Sequence, residues 1–360
     1  MPECPGCAHK YLTQAQSLAQ KEQWLKNSLS PWASKFTPIQ TVDKKSRWGY
    51  REKVCLSTQW ELGVWKFGLI KNETIIPIHD CPVHTRQIQN AIALFSAVLP
   101  AAAFFPLAYY VQTGSQITLI VKSKQRPDLK WLDDSLIRDL KHIGIKGLWL
   151  HLHPCTGKKV FAKNTWHLLY GSPRSVDENQ FIYGPRAFQQ LLPSLYNLAL
   201  SSAETFLSPV TKDIFIDLYC GIGTGLARWQ RRCSNVMGVE LDGEAVDCAH
   251  GNAVNAKILR GKCSDRIPQL IQWTDAHPSD GDRLLYVNPP RTGLTPEILQ
   301  WISSFYKPDR MVYLSCSAGS LQRDIAQLET SGYEMIKITP YDFFPQTLHV
   351  ETMVFIQSKK

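Results

Sequence analysis

The chain has no apolar run long enough to cross a membrane. Its richest stretch, residues 91–111, is broken by Pro100 and Pro106, which argues against a helical span. No internal repeat or low-complexity tract appears before Lys212, which argues against a solenoid. The start, Met1-Pro2-Glu3-Cys4-Pro5-Gly6-Cys7, has neither the basic residues nor the apolar stretch of a secretory signal, so a cytoplasmic protein is expected. Ten cysteines are scattered over 360 residues without the spacing of a disulfide framework, which fits a reducing compartment. Acidic residues are the minority sign, 31 against 40 Lys and Arg, and the net charge of +9 favours a polyanionic partner.

What is present divides the chain into three expected parts. Residues 1–40 hold the Cys4-x-x-Cys7 motif and a polar helical pattern from Tyr11 to about Leu29. A C-x-x-C pair can serve redox chemistry, zinc or an iron-sulfur centre, and its best partner is Cys81 in His79-Asp80-Cys81-Pro82-Val83-His84. Residues 41–178 alternate strand patterns with helical ones at Thr85 to Val98 and Leu129 to Ile143, an α+β unit. Its basic residues are interleaved with aromatics, from Lys44 to Lys53 and then at Lys122, Lys124 and Arg126, the composition that grips phosphates and stacks unpaired bases. His151, His153 and Cys155 alternate in a strand-like stretch, which is the pattern of a partly buried pair more often than of a metal site.

Residues 179–360 change character. A helical run, Leu191 to Leu207 with its regular part starting near Pro193, precedes Asp213-Ile214-Phe215-Ile216-Asp217-Leu218-Tyr219-Cys220-Gly221-Ile222-Gly223-Thr224-Gly225. This reads as a buried parallel strand entering a glycine turn, where Gly221 and Gly223 let a ligand approach the backbone. The next strand ends at Glu240, placed to grip ribose hydroxyls. Leu226 stands where a dinucleotide fingerprint has its third glycine, and Asp217 suits an ammonium better than a pyrophosphate, so S-adenosylmethionine is the expected cofactor. A further strand ends in Asn288-Pro289-Pro290-Arg291, whose prolines stiffen the loop. The strand Met311 to Leu314 carries Cys316 between two serines at its tip, where chemistry gathers in open α/β sheets. A last loop delivers Glu351 to the same edge.

Asp217 to Gly221, Asn288-Pro289-Pro290-Arg291-x-Gly293, Ser315-Cys316 with Arg323-Asp324, and Phe344-Pro345-x-Thr347-x-His349-Val350-Glu351 together resemble the RNA 5-methyluridine methyltransferases. Phe188-x-Gln190 and Tyr50-Arg51-x-Lys53 resemble further elements of that family. The resemblance implies a Rossmann-like class I methyltransferase domain, doubly wound and mostly parallel with an antiparallel last strand. It implies Cys316 as nucleophile and Glu351 as the base that removes the C5 proton. Gln190, Tyr219, Glu240 and Asn288 match positions that hold S-adenosylmethionine, and Thr224 matches more loosely. Cys4, Cys7 and Cys81 resemble three of the four ligands of the [4Fe-4S] cluster in many members, with zinc the lesser alternative. Most relatives carry an acid where Asn288 stands. The expected partner is RNA, ribosomal ahead of transfer RNA, acted on by a monomer. The competing readings are a related enzyme acting on another pyrimidine position and a non-catalytic RNA-binding module.

Overall fold

In the computed structural model, residues 4–157, 159–162 and 165–359 are described. The chain forms two compact units, Met1–Ala8 with Lys44–Ala187 and His9–Asp43 with Phe188–Lys360. The division differs from the three parts expected. The first helix belongs with the C-terminal half, while the Cys4-x-x-Cys7 motif belongs with the central unit.

That helix, α1 (Gln14–Ser28), starts at Thr13, whose side chain accepts from the Gln16 N–H while the Gln16 side chain reaches back to the Thr13 backbone. The first unit then holds β1 (Lys53–Glu61), β2 (Val64–Lys71), β3 (Thr74–Pro77), α2 (Arg86–Val98), β4 (Leu107–Thr113), β5 (Gln116–Val121), α3 (Asp134–His142), β6 (Gly147–Leu152) and β7 (Trp166–Gly171). The expected helix from Leu129 begins later because Asp133 caps it, accepting from the Leu136 N–H at 2.9 Å. The sheet order is β3-β2-β1-β4-β5-β6-β7, and only β5 and β6 run parallel. One face packs Val54, Leu56, Phe67 and Tyr110 against Ile88, Ile92 and Phe95 of α2 and against Leu136 and Leu140 of α3. A two-stranded ribbon, β8 (Ser175–Val176) with β9 (Ile182–Tyr183), follows.

The second unit is built from α4 (Pro193–Leu207), β10 (Ile214–Leu218), α5 (Thr224–Trp229), β11 (Asn235–Glu240), α6 (Gly243–Asn252), β12 (Lys257–Arg260), α7 (Ile267–Ala276), β13 (Arg283–Val287), α8 (Pro296–Trp301), β14 (Arg310–Ser315), α9 (Ala318–Thr330), β15 (Tyr333–Tyr341) and β16 (Glu351–Ser358). Its order is β12-β11-β10-β13-β14-β16-β15. The first five strands run parallel and β16 is antiparallel to both neighbours. Ile214, Ile216, Met237, Leu285 and Met311 are buried in one core with residues of α7, α8 and α9, the near-continuous apolar reading of strands covered on both faces. The strand order reverses between β10 and β13, so the carboxyl ends of β10, β11, β13 and β14 open onto one crevice.

Candidate active site

The glycine turn follows β10 directly. Tyr219, Gly221 and Gly223 have φ of 62°, 57° and 84°. The left-handed region costs a non-glycine residue about 1 kcal/mol or more, and at Tyr219 the surrounding turn holds it there. Glu240, at the end of β11, fixes the turn by accepting the Gly221 N–H at 3.0 Å on one oxygen and the Asp242 N–H at 2.8 Å on the other. Thr224 is the first residue of α5.

Asp217 is not at the open tip. It is buried within β10, and one carboxylate oxygen accepts from Trp229 Nε1 at 2.9 Å. Gly225 makes this possible, since a Cβ there would lie 2.6 Å from that oxygen. The other oxygen, Oδ1, has no partner among the described residues, and neither has Gln190 Oε1. Burial raises the Asp217 pKa to about 8, with the Trp229 bond opposing and the Glu240 charge adding. Two buried acceptors lacking donors fit the ammonium of S-adenosylmethionine, and the Glu240 carboxylate, which also has capacity beyond its two backbone bonds, fits the ribose.

Gln190 turns its amide the other way, donating from Nε2 to Glu351 Oε2 at 2.9 Å. Glu351 opens β16, which pairs with β14 so that Thr352 faces Ser315. Cys316 follows the last paired residue of β14 and Glu351 precedes Thr352 in β16, so both lie at the same end of this ladder, near enough for the Glu351 charge to act on the Cys316 thiol. Burial pushes the Glu351 pKa up to about 7, opposed by the Gln190 hydrogen bond. Burial also pushes the Cys316 thiol up, the Glu351 charge adds to this, and the Arg291 guanidinium opposes it. The serines flanking Cys316 shape its turn: Ser317 N–H donates to Ser315 Oγ at 3.2 Å, and Ser317 caps α9.

The Asn288 loop lies alongside. Asn288 N–H donates to Leu218 O at 3.3 Å. The loop's far end is held by the buried Asp324, which accepts from the Leu294 N–H at 2.8 Å, from Tyr313 OH at 2.7 Å and from Arg323 Nε at 2.9 Å. A Cβ at Gly293 would sit 2.5 Å from the same carboxylate, so the loop can close only on glycine.

Sequence reasoning missed the brace behind Glu351. Lys21 of α1 is buried and donates from Nζ to Asp342 Oδ1 at 2.5 Å and to Phe344 O at 3.1 Å. His9 N–H donates to Gln346 O at 2.9 Å. These bonds tie α1 to the loop that delivers Glu351, across more than three hundred residues of sequence. A buried lysine on a polar helix was the one signal available, and burial does not show in a sequence. Tyr196 of α4 was also missed. It is half-buried, and desolvation and the charges of Asp217 and Glu351 push its phenol up.

The N-terminal cysteines are in the first unit. Gly6 N–H donates to Cys4 Sγ at 3.4 Å. Burial raises the Cys81 thiol pKa, the Val83 and His84 backbone donors and the Arg51 charge oppose this, and the Cys4 charge adds to it. Among the described residues no three His, Cys, Asp or Glu side chains stand close enough to hold a metal ion. The His151 ring is fully buried, stacks on Trp166 at 4.2 Å and accepts the Ala162 N–H at 2.9 Å.

The strand order and the crevice at its reversal define a class I methyltransferase fold. A solved structure of similar build, the Pyrococcus abyssi tRNA (uracil-54, C5)-methyltransferase in complex with S-adenosyl-L-homocysteine, matches with a TM-score of 0.72 at 20% identity, over 99% of this chain and 86% of that one. Residues 281–359, which carry Asn288, Cys316 and Glu351, match the family model described as tRNA (Uracil-5-)-methyltransferase. An uncharacterized RNA methyltransferase of Thermosynechococcus vestitus is 27% identical over 98% of this chain and 82% of its own length. One from Streptococcus mutans is 28% identical over 99% and 82%. The chain is thus similar to RNA methyltransferases over nearly its whole length, and residues 281–359 match the uracil-5 family model. Among the described residues no helix is long and apolar enough to cross a membrane.

Proposed function

We propose that the enzyme forms 5-methyluridine in RNA through a transient bond between Cys316 and uracil C6. The observation that carries this reading is that Cys316 and Glu351 flank the same end of the β14–β16 ladder, with the Glu351 charge acting on the Cys316 thiol and Gln190 hydrogen-bonded to Glu351. Uracil C5 is a poor nucleophile. Addition of the Cys316 thiolate at C6 moves the ring electrons into an enolate, and C5 then takes up a methyl group. S-adenosylmethionine supplies that group as an electrophilic carbon. Glu351 next accepts the C5 proton, the C5–C6 double bond re-forms, and the C6–S bond breaks to return the thiolate. Arg291 provides the positive charge that favours the thiolate against burial. Glu351, with a pKa near neutrality, is matched to accept a proton and to lose it again. Asp217, Gln190, Tyr219, Glu240 and Asn288, with the Gly221-Ile222-Gly223-Thr224 turn, hold the cofactor.

The Cys4, Cys7 and Cys81 thiols would serve an iron-sulfur centre only after drawing together, because among the described residues they do not stand as a metal-holding group. Such a centre is supported by the sulfur-rich donor set and by the backbone N–H groups directed at Cys4 and Cys81, which stabilise thiolates. No step of the reaction is routed through it. Protein purified without oxygen should carry iron and acid-labile sulfide, and zinc in their place would replace that assignment. The substrate is tested with methyl-labelled S-adenosylmethionine and RNA from cells lacking the gene. Label is expected as 5-methyluridine in ribosomal RNA. Label in transfer RNA would move the target without changing the chemistry, and label in neither would remove the reading.

A further inference from the structure

The first unit's sheet has one face covered by α2 and α3. Its opposite face is covered at the β6–β7 end by Trp149, His151, Phe161 and Trp166. At the β3-β2-β1-β4 end that opposite face holds a cleft of about 490 Å³, within the size range of small-ligand sites. The ladder explains its floor. Tyr109 faces Ser57 across β4 and β1, and Ser57 faces Gly68 across β1 and β2, so these positions share the side away from the helices. Ser57, Gln59, Ile70 and Tyr109 line the floor, with Glu73 at the β2–β3 turn and Lys122 just past the end of β5.

We propose that this cleft binds a dinucleotide step of single-stranded RNA, a site separate from the methyl-transfer crevice; this rests on the RNA reading above. The span across four neighbouring strands is about 14 Å, room for two nucleotides. Lys122 N–H is held by Pro106 O at 2.8 Å, which fixes the backbone of the cation's residue at one end. Lys122 is exposed, and Lys124 and Arg126 follow it on the surface. That end suits phosphates. At the other end Glu73 is an acceptor for ribose hydroxyls, the groups by which protein tells RNA from DNA. Between them the Tyr109 ring is held by its OH donating to Gly157 O at 2.9 Å. Ser57 and Gln59 make no side-chain hydrogen bond among the described residues and are available to base edges. Phe104, 74% exposed, lies in sequence between the lining residues Ala102 and Pro106 and offers a second ring.

The test uses the full chain and a fluorescein-labelled oligouridine twelve-mer, with affinity read by anisotropy across a potassium chloride series. Lys122→Glu should weaken binding about tenfold and lower the salt slope by about 0.7 or more. Ser57→Trp, which fills the floor, should weaken it similarly. Glu73→Gln should reduce the preference for oligouridine over oligodeoxyuridine. In each variant S-adenosylmethionine binding by calorimetry should match wild type. A 4-thiouridine twelve-mer should photocrosslink the wild-type chain within residues 57–59 or 104–109, a readout that needs no variant to fold. Wild-type affinities and slopes in all three variants, or crosslinks confined to the second unit, would overturn the cleft. Methyl transfer to cellular RNA without binding of the twelve-mer would overturn the cleft alone. Absence of both would remove the RNA reading as well.

Discussion

The two seven-stranded sheets solve different problems. In the second unit five parallel strands bring their carboxyl ends to one edge, and the candidate site residues Tyr219, Glu240, Asn288 and Cys316 stand at or just past those ends. In the first unit nearly every pair is antiparallel, no common edge exists, and the polar groups that face solvent are spread over a face. The contrast teaches where to look for chemistry and where for grip. Strand tips concentrate a few side chains around a point, and an open face offers a broad surface for a strand of nucleic acid.

Substitutions should separate the two roles. The largest effect is expected for Cys316→Ala, which removes the attacking atom and should lower turnover at least about a thousandfold. RNA affinity and cofactor affinity should change less than about threefold. A residual turnover close to wild type would move the nucleophile elsewhere. Next in size, Asp324→Ala strips the acceptor from the Leu294 N–H, Tyr313 and Arg323 at once. It should destabilise the second unit by about 3 kcal/mol, measured by urea unfolding, because buried donors lose their partner. The central unit's own transition should stay in place.

A smaller effect concerns pH. Asp217 and Glu351 have folded pKa values of about 8 and about 7, above the ordinary carboxylate value of about 4 that each regains on unfolding. The native state thus holds protons that the unfolded chain releases. Their contribution is fully present below about pH 4 and is lost as pH rises through about 8, by at most about 1.4 kcal/mol per pH unit for each group. The free enzyme should melt at lower temperature at pH 8 than at pH 5.5. Asp217→Asn should flatten that slope, and bound S-adenosylmethionine should do so in the wild type by placing a positive charge beside Asp217. A slope unchanged in both cases would mean that Asp217 is ionised in the free enzyme.

The difference between the sheets also explains what the sequence made legible. Around a strand tip the functional residues are contiguous, so the Asp217 to Gly225 turn, the Asn288-Pro289-Pro290-Arg291 loop and Ser315-Cys316 could be read as words. Helix α4 starts at Pro193, as expected, because proline at a first helical position is a local signal. Lys21 and Asp342 carry no such signal, since their pairing is fixed by packing of α1 on a loop over three hundred residues away. The burial of Asp217 against Trp229 was equally hidden, because it depends on the space left by Gly225. On the central sheet, Ser57, Gln59 and Tyr109 meet only through strand register, and their alternation looks like that of any solvent-facing strand.

The central claim is the division of labour between Cys316 and Glu351. Glu351→Gln leaves the nucleophile in place and removes the proton acceptor, so addition and methyl uptake should proceed while elimination stalls. Incubated with substrate RNA and S-adenosylmethionine, then run on a denaturing gel, this variant should show a methylated protein–RNA adduct. The adduct should be absent when Cys316 is also replaced by alanine. Turnover by Glu351→Gln with no adduct, or an adduct that persists without Cys316, would contradict the account.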